Sequence, residues 1–327
     1  MNPANSYKNQ ILNLGHSEFS QMAMEIFRWQ AAENPVYNQY LQSLSINPVT
    51  ISHPEQIPFL PISFFKTHSV LSGTPLVQTK FLSSGTTGMQ RSTHYIADPD
   101  WYLRVSEKIF RQFYSNLDNT IILALLPSYQ ENPHSSLIYM INYFIRQSNS
   151  PLSGFVKSSD ELQETLRQAA QTSRKVFLFG VAYALLDLAE TGLSLPNITL
   201  IETGGMKGRR KELTKEELHQ ILLQNFQLSE VHSEYGMTEL LSQAYSSNNG
   251  LFLTPPWMKI MTREINDPFC DNTGIRSGVI KVADLANIDS CCFIETEDIG
   301  ICTPEGFRIL GRLDNSEIRG CNLLYEG

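Results

Sequence analysis

Ser83-Ser84-Gly85-Thr86-Thr87-Gly88 stands between the apolar pair Phe81-Leu82 and a polar run that reaches Tyr95. Four of its six residues carry a hydroxyl and two are glycine. Such a stretch offers backbone N–H groups and hydroxyl donors with almost no side-chain bulk. Glycine also lets the backbone approach a ligand closely, a chemistry that suits polyphosphate oxygens. The P-loop pattern G-x-x-x-x-G-K-[ST] occurs nowhere in the chain. Taken alone the hexamer reads equally as a flexible surface loop.

Outward from the hexamer the chain has a regular rhythm. Residues 16 to 45 read as helical, with Phe19, Met22, Met24, Ile26 and Phe27 near helical spacing. Pro54, Pro58, Pro61 and Pro75 predict an extended, irregular stretch over 50 to 80. Asp98-Pro99-Asp100 predicts a helix start leading to Tyr114. Strands are then expected at Ile121–Leu126, Val176–Phe179, Ile198–Ile201 and Leu228–His232. Helices between them open at Ser158-x-x-Glu161, Val181 and Thr214-x-x-Glu217. This alternation predicts an α/β fold with a helix-covered, mostly parallel sheet. Beyond about residue 255, Trp257–Ile265, Gly278–Ala283 and Phe307–Leu313 read as strands, which predicts a β-rich portion. The expected division is an α/β core over 1–255, including the helical N-terminal segment, and a β-rich subdomain over 256–327.

Composition narrows the function. Lys and Arg number 25 against 33 Asp and Glu, a net charge of −8 that disfavours a nucleic-acid partner. The five cysteines, Cys270, Cys291, Cys292, Cys302 and Cys321, form no C-x-x-C pair, so neither a disulfide framework nor a zinc site is expected. No secretory signal is apparent at residues 1 to 15, and the apolar run Ile121–Leu126 is far too short to span a bilayer. A cytoplasmic protein without membrane insertion is the expectation.

Three further segments carry chemistry. Glu202-Thr203-Gly204-Gly205 follows the third strand of the alternating series, where ligands lie in open α/β sheets. Tyr235-Gly236-Met237-Thr238-Glu239 follows the fourth, with a ring able to stack, a hydroxyl donor and a carboxylate able to hold Mg2+. Glu297-Asp298-Ile299-Gly300 reads as an acidic turn, suited to ribose hydroxyls, and Gly311-Arg312-Leu313-Asp314 supplies a guanidinium fourteen residues beyond Asp298. Each segment by itself reads equally as a turn, a buried tyrosine or a solvated ion pair.

Together, Ser84 to Gly88, Tyr235 to Glu239, Glu297 to Gly300 and Gly311 to Asp314 resemble four ordered core motifs of the adenylate-forming superfamily. That superfamily includes acyl-CoA synthetases, peptide-synthetase adenylation domains and firefly luciferase. The chain is most similar to its acyl-protein synthetase branch, the fatty-acid-activating subunit of bacterial bioluminescence and its relatives. Phenylacetate-CoA ligases look like a more distant cousin. The branch resemblance is carried by Pro61-Ile62-Ser63-Phe64-Phe65-Lys66, Pro127-Ser128-Tyr129 with Ser135-Ser136-Leu137, Gly204-Gly205-Met206-Lys207-Gly208-Arg209-Arg210, and Arg319-Gly320-Cys321.

The resemblance implies the superfamily's large-domain fold and the following roles. Ser83, Ser84, Gly85, Thr86, Thr87 and Gly88 hold the β- and γ-phosphates of ATP. Gly204 and Gly205 line the adenine pocket, and Tyr235, followed by Gly236, stacks on the base. Thr238 meets the α-phosphate, Glu239 coordinates Mg2+, and Asp298 and Arg312 bind ribose. A carboxylic acid, fatty or aromatic, is activated as an acyl-adenylate and passed to a thiol of an acyl-carrier or acyl-acceptor protein, or of CoA. His134 lies where the superfamily places acyl-pocket residues, and equally reads as a polar loop histidine.

The chain departs from the pattern in two places. After Gly88 the superfamily has a proline and then a lysine, where Gln90 and Arg91 stand here. Arg91 still offers phosphate a cation, though arginine and lysine are not interchangeable. The sequence also stops at Gly327, just past the Gly-Arg-x-Asp motif, so the superfamily's small C-terminal domain, with its catalytic lysine, is expected to be absent. Lys66 and Lys207 are the internal candidates for that cation. Two other readings stay open: a phenylacetate-type acyl-CoA ligase, and a non-catalytic nucleotide- or acyl-binding subunit. Lys207, Arg209, Arg210 and Lys211 read as an exposed helix start or a docking patch for an acidic carrier. Cys321 reads as an ordinary thiol or an acyl acceptor.

Overall fold

The computed structural model describes residues 3–84, 90–127, 132–195, 197–204, 213–247, 249–268, 270–272 and 274–313. Three helices open the chain: α1 (Pro3–Ile11), α2 (Phe19–Glu33) and α3 (Pro35–Ser43). The helical reading of 16 to 45 holds with one break at Asn34. Its side chain accepts from Tyr37 N at 3.0 Å and caps the next helix, which Pro35 opens. Gln30 anchors α2 to the far end of the chain. Its amide donates to Ile288 O (3.0 Å) and Ser290 O (3.1 Å), and its carbonyl accepts from Cys292 N (2.9 Å).

The proline-bearing stretch contains more order than its composition predicts. It holds strand β1 (Leu60–Pro61) and the short helix α4 (Phe64–Thr67). An antiparallel hairpin follows, β2 (Thr79–Leu82) with β3 (Thr93–Ile96), whose connection carries the hydroxyl-rich hexamer. Helix α5 (Pro99–Phe113) begins where the sequence placed it, with Asp98 accepting from Trp101 N at 2.9 Å.

The predicted alternation then unfolds as β4 (Thr120–Leu125), α6 (Ser136–Gln147), β5 (Gly154–Phe155), α7 (Ser159–Ala169), β6 (Lys175–Gly180), α8 (Ala182–Ala189), β7 (Ile198–Glu202), α9 (Lys215–Phe226), β8 (His232–Tyr235) and β9 (Ala244–Ser246). The strands order as β5-β4-β6-β7-β8-β9, parallel throughout except for the β8–β9 pair. Period-two alternation gives the sheet two apolar faces. Ile122, Ala124, Phe177 and Phe179 join the core that includes Phe110 of α5 and Phe144 of α6. Ile121, Leu123, Leu178 and Leu200 pack with Leu162, Leu185 and Leu222 of α7, α8 and α9.

One strand is displaced from its predicted place. The sequence suggested Leu228–His232, with Tyr235 beyond it, whereas β8 spans His232–Tyr235 and Tyr235 is its last residue. The reason lies at the end of α9. Gln227 takes a left-handed conformation (φ 57°), and the following residues are spent on leaving the helix before pairing with β7 begins.

The β-rich portion comprises β10 (Met258–Arg263), β11 (Ser277–Asp284), β12 (Phe293–Thr303) and β13 (Gly306–Arg312). The sheet runs β1-β12-β11-β10, with β13 also on β12. The eleven residues of β12 were not recognised as a strand in the sequence. Glu297-Asp298-Ile299-Gly300 is therefore not a turn but the middle of the longest strand. The register of β12 with β13 places Asp298 opposite Arg312. The fold class expected from the sequence, a helix-covered and mostly parallel sheet with a β-rich C-terminal portion, is the one observed.

Asp284, at the end of β11, fastens this sheet to the segment between β8 and β9. Fully buried, its carboxylate accepts from Leu241 N (2.9 Å), Ser242 N (2.8 Å), Ser242 Oγ (2.6 Å) and Ala286 N (3.1 Å). Truncation leaves several buried donors unmet. Asp284→Ala is expected to lower unfolding free energy by about 3 kcal/mol in urea titrations. A loss below about 1 kcal/mol contradicts this account of the tether.

Candidate nucleotide site

Two sheets meet at Tyr235. Its hydroxyl donates to Asp298 Oδ2 at 3.0 Å, while Arg312 Nε lies 3.4 Å from Asp298 Oδ1. The cross-strand register of β12 and β13 is what brings Arg312 to Asp298. Burial raises the Asp298 carboxyl above its ordinary value, against the pull of Arg312 and of the Tyr235 hydroxyl. The Tyr235 ring is packed on Phe252 and Phe307, with centroids at 5.8 and 5.3 Å, and is only 8% exposed. Little of its face is therefore free for a base. Arg312 remains largely exposed and also reaches Glu297 (3.5 Å), which Lys66 of α4 faces from the other side at 3.6 Å.

The neck of the hexamer loop joins the same cluster. Ser83 N donates to Ser92 O at 3.0 Å, and Ser92 N donates to Ser83 Oγ at 2.9 Å, closing the connection at its base. Below it, His94 Nδ1 lies 2.8 Å from Thr238 O. A carbonyl only accepts, so the Nδ1 nitrogen carries the proton. Burial lowers the His94 imidazole to about 4, so the ring is neutral. Glu239 is buried, and its backbone carbonyl accepts from Asn287 Nδ2 at 2.7 Å. Burial raises its carboxyl, while the Ser92 hydroxyl and Arg312 act in the opposite direction. On the far side of the neck, Gln90 Nε2 donates to Lys66 O at 2.6 Å, holding α4 beside the loop.

The third contribution comes from the end of β7. Gly204 has φ +72°, a conformation that favours glycine. Its N–H donates to Glu202 Oε2 at 2.8 Å, and its carbonyl accepts from Ala182 N at 2.9 Å. Glu202 is fully buried. Burial alone would raise its carboxyl, but Lys215 and a hydrogen bond from His219 outweigh that and hold it well below the usual range. Glu234 is the converse case. Burial, and then the nearby Glu202 charge, raise it to about 8.

Among the sequence-predicted residues, Ser83, Gly204, Tyr235, Gly236, Thr238, Glu239 and Arg312 thus belong to the ends of β2, β7, β8 and β13 or the turns beside them, and Asp298 to the middle of β12. Ser84 and Arg91 are exposed on the two sides of the hairpin connection. His134 lies in the turn before α6. Its carbonyl accepts from Leu82 N at 2.9 Å, which fixes it to the hairpin, and its buried Nδ1 has no hydrogen-bond partner. Gly85, Thr86, Thr87, Gly88, Gly205, Lys207, Arg209, Arg210, Lys211 and Cys321 lie outside the described residues. Sequence reasoning missed Ser92, His94, Lys215 and Glu234. Glu234 had a usable signal, since it stands one residue before the motif tyrosine in a strand. The others become visible only through contacts more than ten residues apart in sequence. Among the described residues, no group of three or more His, Cys, Asp or Glu side chains gathers as a metal cage. None of the described helices is long and apolar enough to cross a membrane.

No family model matches the chain. A curated relative, the long-chain-fatty-acid–luciferin-component ligase of Vibrio harveyi, is 20% identical over 336 residues, covering 93% of this chain and 86% of its own length. Among solved structures, 2-hydroxyisobutyryl-CoA ligase in its postadenylation state superposes with TM-score 0.65 at 11% identity, over 92% of this chain and 69% of that one. ATP-bound MatB from Rhodopseudomonas palustris superposes with TM-score 0.51 at 15% identity, over 72% of this chain. The chain has the fold of the adenylate-forming enzymes. It spans about half of the MatB chain, 48% by length. The resemblance to the adenylate-forming superfamily is thus carried by motifs, by a curated relative and by fold.

The raised carboxyl of Glu234 in this adenylate-forming fold links stability to pH. Between the ordinary glutamate range and about 8, the folded chain keeps a proton on Glu234 that the unfolded chain has released. That contribution is fully present at low pH and is lost as pH rises through about 8. Glu234→Gln is expected to remove this decline, so that urea unfolding at pH 5 and at pH 8 shows the variant gaining on the parent as pH rises. An unchanged difference contradicts the burial of the carboxyl.

Proposed function

We propose that this chain uses ATP to activate a carboxylic acid as an acyl-adenylate, which then passes to a thiol. The observation that carries the reading is the convergence of Tyr235, Asp298 and Arg312 with Glu239 and the neck of the hydroxyl-rich loop. Asp298 has acceptor capacity left on both oxygens after Tyr235 and Arg312 are counted, which suits a pair of ribose hydroxyls. Tyr235 then acts chiefly by orienting Asp298. The hexamer Ser83 to Gly88 cradles the outer phosphates, with Arg91 and Lys66 as nearby cations. Gly204 and Gly205 border the base and Thr238 the α-phosphate. His134 borders the acid. The division into a core over 1–255 and a β-rich part over 256–327 belongs to this reading, since β12 and β13 supply the ribose end.

Glu239 is the residue that would hold Mg2+. A single carboxylate suits a cation that keeps several waters and takes its remaining ligands from phosphate. Bound there, Mg2+ supplies charge neutralisation at the phosphates. In the reaction the substrate carboxylate oxygen forms a bond to the α-phosphorus, the bond from that phosphorus to the bridging oxygen breaks, and pyrophosphate leaves. The protein's contribution is alignment and electrostatic stabilisation.

The solved neighbours bound to ATP or to an adenylate and the fatty-acid ligase relative support the reading. The relative named for long-chain fatty acids and a luciferin component favours a fatty acid as the substrate.

ATP–pyrophosphate exchange with a panel of carboxylic acids tests the proposal. Label is expected to return to ATP only when a suitable acid is present. Binding of ATP without exchange for any acid, with or without an acceptor protein, overturns it in favour of a non-catalytic nucleotide-binding subunit. Glu239→Ala is expected to abolish the Mg2+-dependent exchange. Asp298→Ala is expected to lower kcat/KM for ATP by about a hundredfold, the order for losing charged hydrogen bonds to a substrate. Normal turnover by either variant removes that residue from the site.

A further inference from the structure

Resting on the adenylation reading, one face of the parallel sheet carries information about the acid itself. The register Ile201↔His232 and Glu202↔Ser233 assigns the β8 side chains to their faces. Ser233 shares a face with Glu202 and contacts His219 of α9 at 3.1 Å. His232 and Glu234 therefore belong to the opposite face, toward α5. There, His232 Nδ1 lies 3.2 Å from the Tyr114 hydroxyl. In the antiparallel β8–β9 pair Glu234 stands opposite Tyr245, so the two side chains share that face.

One polar group on this face is buried and unmet, and a second, the half-buried Glu234, has no hydrogen-bond donor among the described residues. The Tyr245 side chain is 1% exposed, and its hydroxyl has no hydrogen-bond partner. Its ring packs on Phe113 and Tyr114, with centroids at 5.5 and 5.3 Å. No described residue donates a hydrogen bond to the Glu234 carboxyl, which burial keeps protonated near neutrality. Buried polar groups in native proteins are normally paired, and an aromatic wall built only to receive hydrocarbon needs neither of these. The carboxyl also reaches the candidate site. Glu234 Oε1 stands in the space a Cβ on Gly236 would occupy, so it sits beside the motif glycine just past the end of the strand. A side chain at residue 236 would have to displace it.

We propose that the acid activated here carries a hydrogen-bond-donating group on its chain or ring, a hydroxyl or an amine, and that Glu234 and Tyr245 receive it. A protonated carboxyl and a phenol each donate and accept, so the pair satisfies either substituent. An amine brings a positive charge that Glu234 meets as its carboxylate, whereas a hydroxyl leaves Glu234 neutral. A site built to bond such a group discriminates strongly against the analogue that lacks it, because its own polar atoms are then left unpaired.

The test is ATP–pyrophosphate exchange with matched acids: a medium-chain alkanoic acid and its terminal hydroxy and amino analogues, and the same three forms of phenylacetic acid. The parent protein is compared with Glu234→Gln and Glu234→Leu, each first checked by thermal unfolding. At least one substituted acid is expected to exceed its unsubstituted counterpart by about tenfold or more in kcat/KM. Glu234→Leu is expected to invert that ranking, and Glu234→Gln to keep the hydroxy preference while losing any amino preference. The better substituent tells amine from hydroxyl. If the unsubstituted acids exchange best in the parent protein, adenylation stands and this proposal falls. A ranking unmoved by Glu234→Leu also overturns it. Exchange with no acid at all overturns the adenylation reading, and this proposal with it.

Discussion

The hydrogen bond from Tyr235 to Asp298 is the contact on which the arrangement depends. It joins the last residue of a parallel strand to the middle of an antiparallel one, so that two sheets share a polar seam inside an otherwise apolar junction. A buried carboxylate without partners is strongly disfavoured. Asp298 is tolerated because Tyr235 donates to it from one sheet and Arg312 faces it from the neighbouring strand. Phe252 and Phe307 hold the tyrosine ring in place, which converts a mobile side chain into a fixed donor. The hairpin neck is then positioned against the same turn through His94 and Thr238.

Four carboxylates lie around this seam, and their surroundings separate them. Glu202 is ionised because Lys215 and His219 answer its charge within a buried cluster. Glu234, on the other face of the sheet, is raised by burial and by that charge, with no donor among the described residues, and holds its proton near neutrality. Glu239 and Asp298 are raised by burial but stay within reach of Arg312, whose head remains in solvent. Similar side chains thereby acquire different chemistry from burial and from the identity of the nearest cation.

Much of this was legible in the sequence. The alternating series from Ile121 onward foretold the parallel sheet, and Asp98, Ser158 and Thr214 marked their helices correctly, because capping is local chemistry. The resemblance to the superfamily's motifs grouped Tyr235, Asp298 and Arg312, and the structure brings these three side chains together. What escaped depends on pairing partners distant in the chain. β1 exists only because β12 receives it, and the adjacent acids Glu297 and Asp298 with Gly300 made the centre of β12 read as a turn. The start of β8 was misplaced because Leu228 and Val231 look strand-like, while the left-handed Gln227 delays pairing. Ser92 and His94 carry no pattern at all. Their importance comes from where the hairpin lands.

An acid-rich site that is to receive a polyanion faces a like-charge problem, sharpened by a net chain charge of −8. The structure answers it in two ways. Burial raises the Glu234, Glu239 and Asp298 carboxyls, which opposes the build-up of negative charge there. Arg312 and Lys66 then lie 3.5 and 3.6 Å from Glu297, so two cations flank this half-buried carboxylate. Burial that opposes ionisation of these carboxyls thereby eases the like-charge problem of the nucleotide site proposed for this acidic chain.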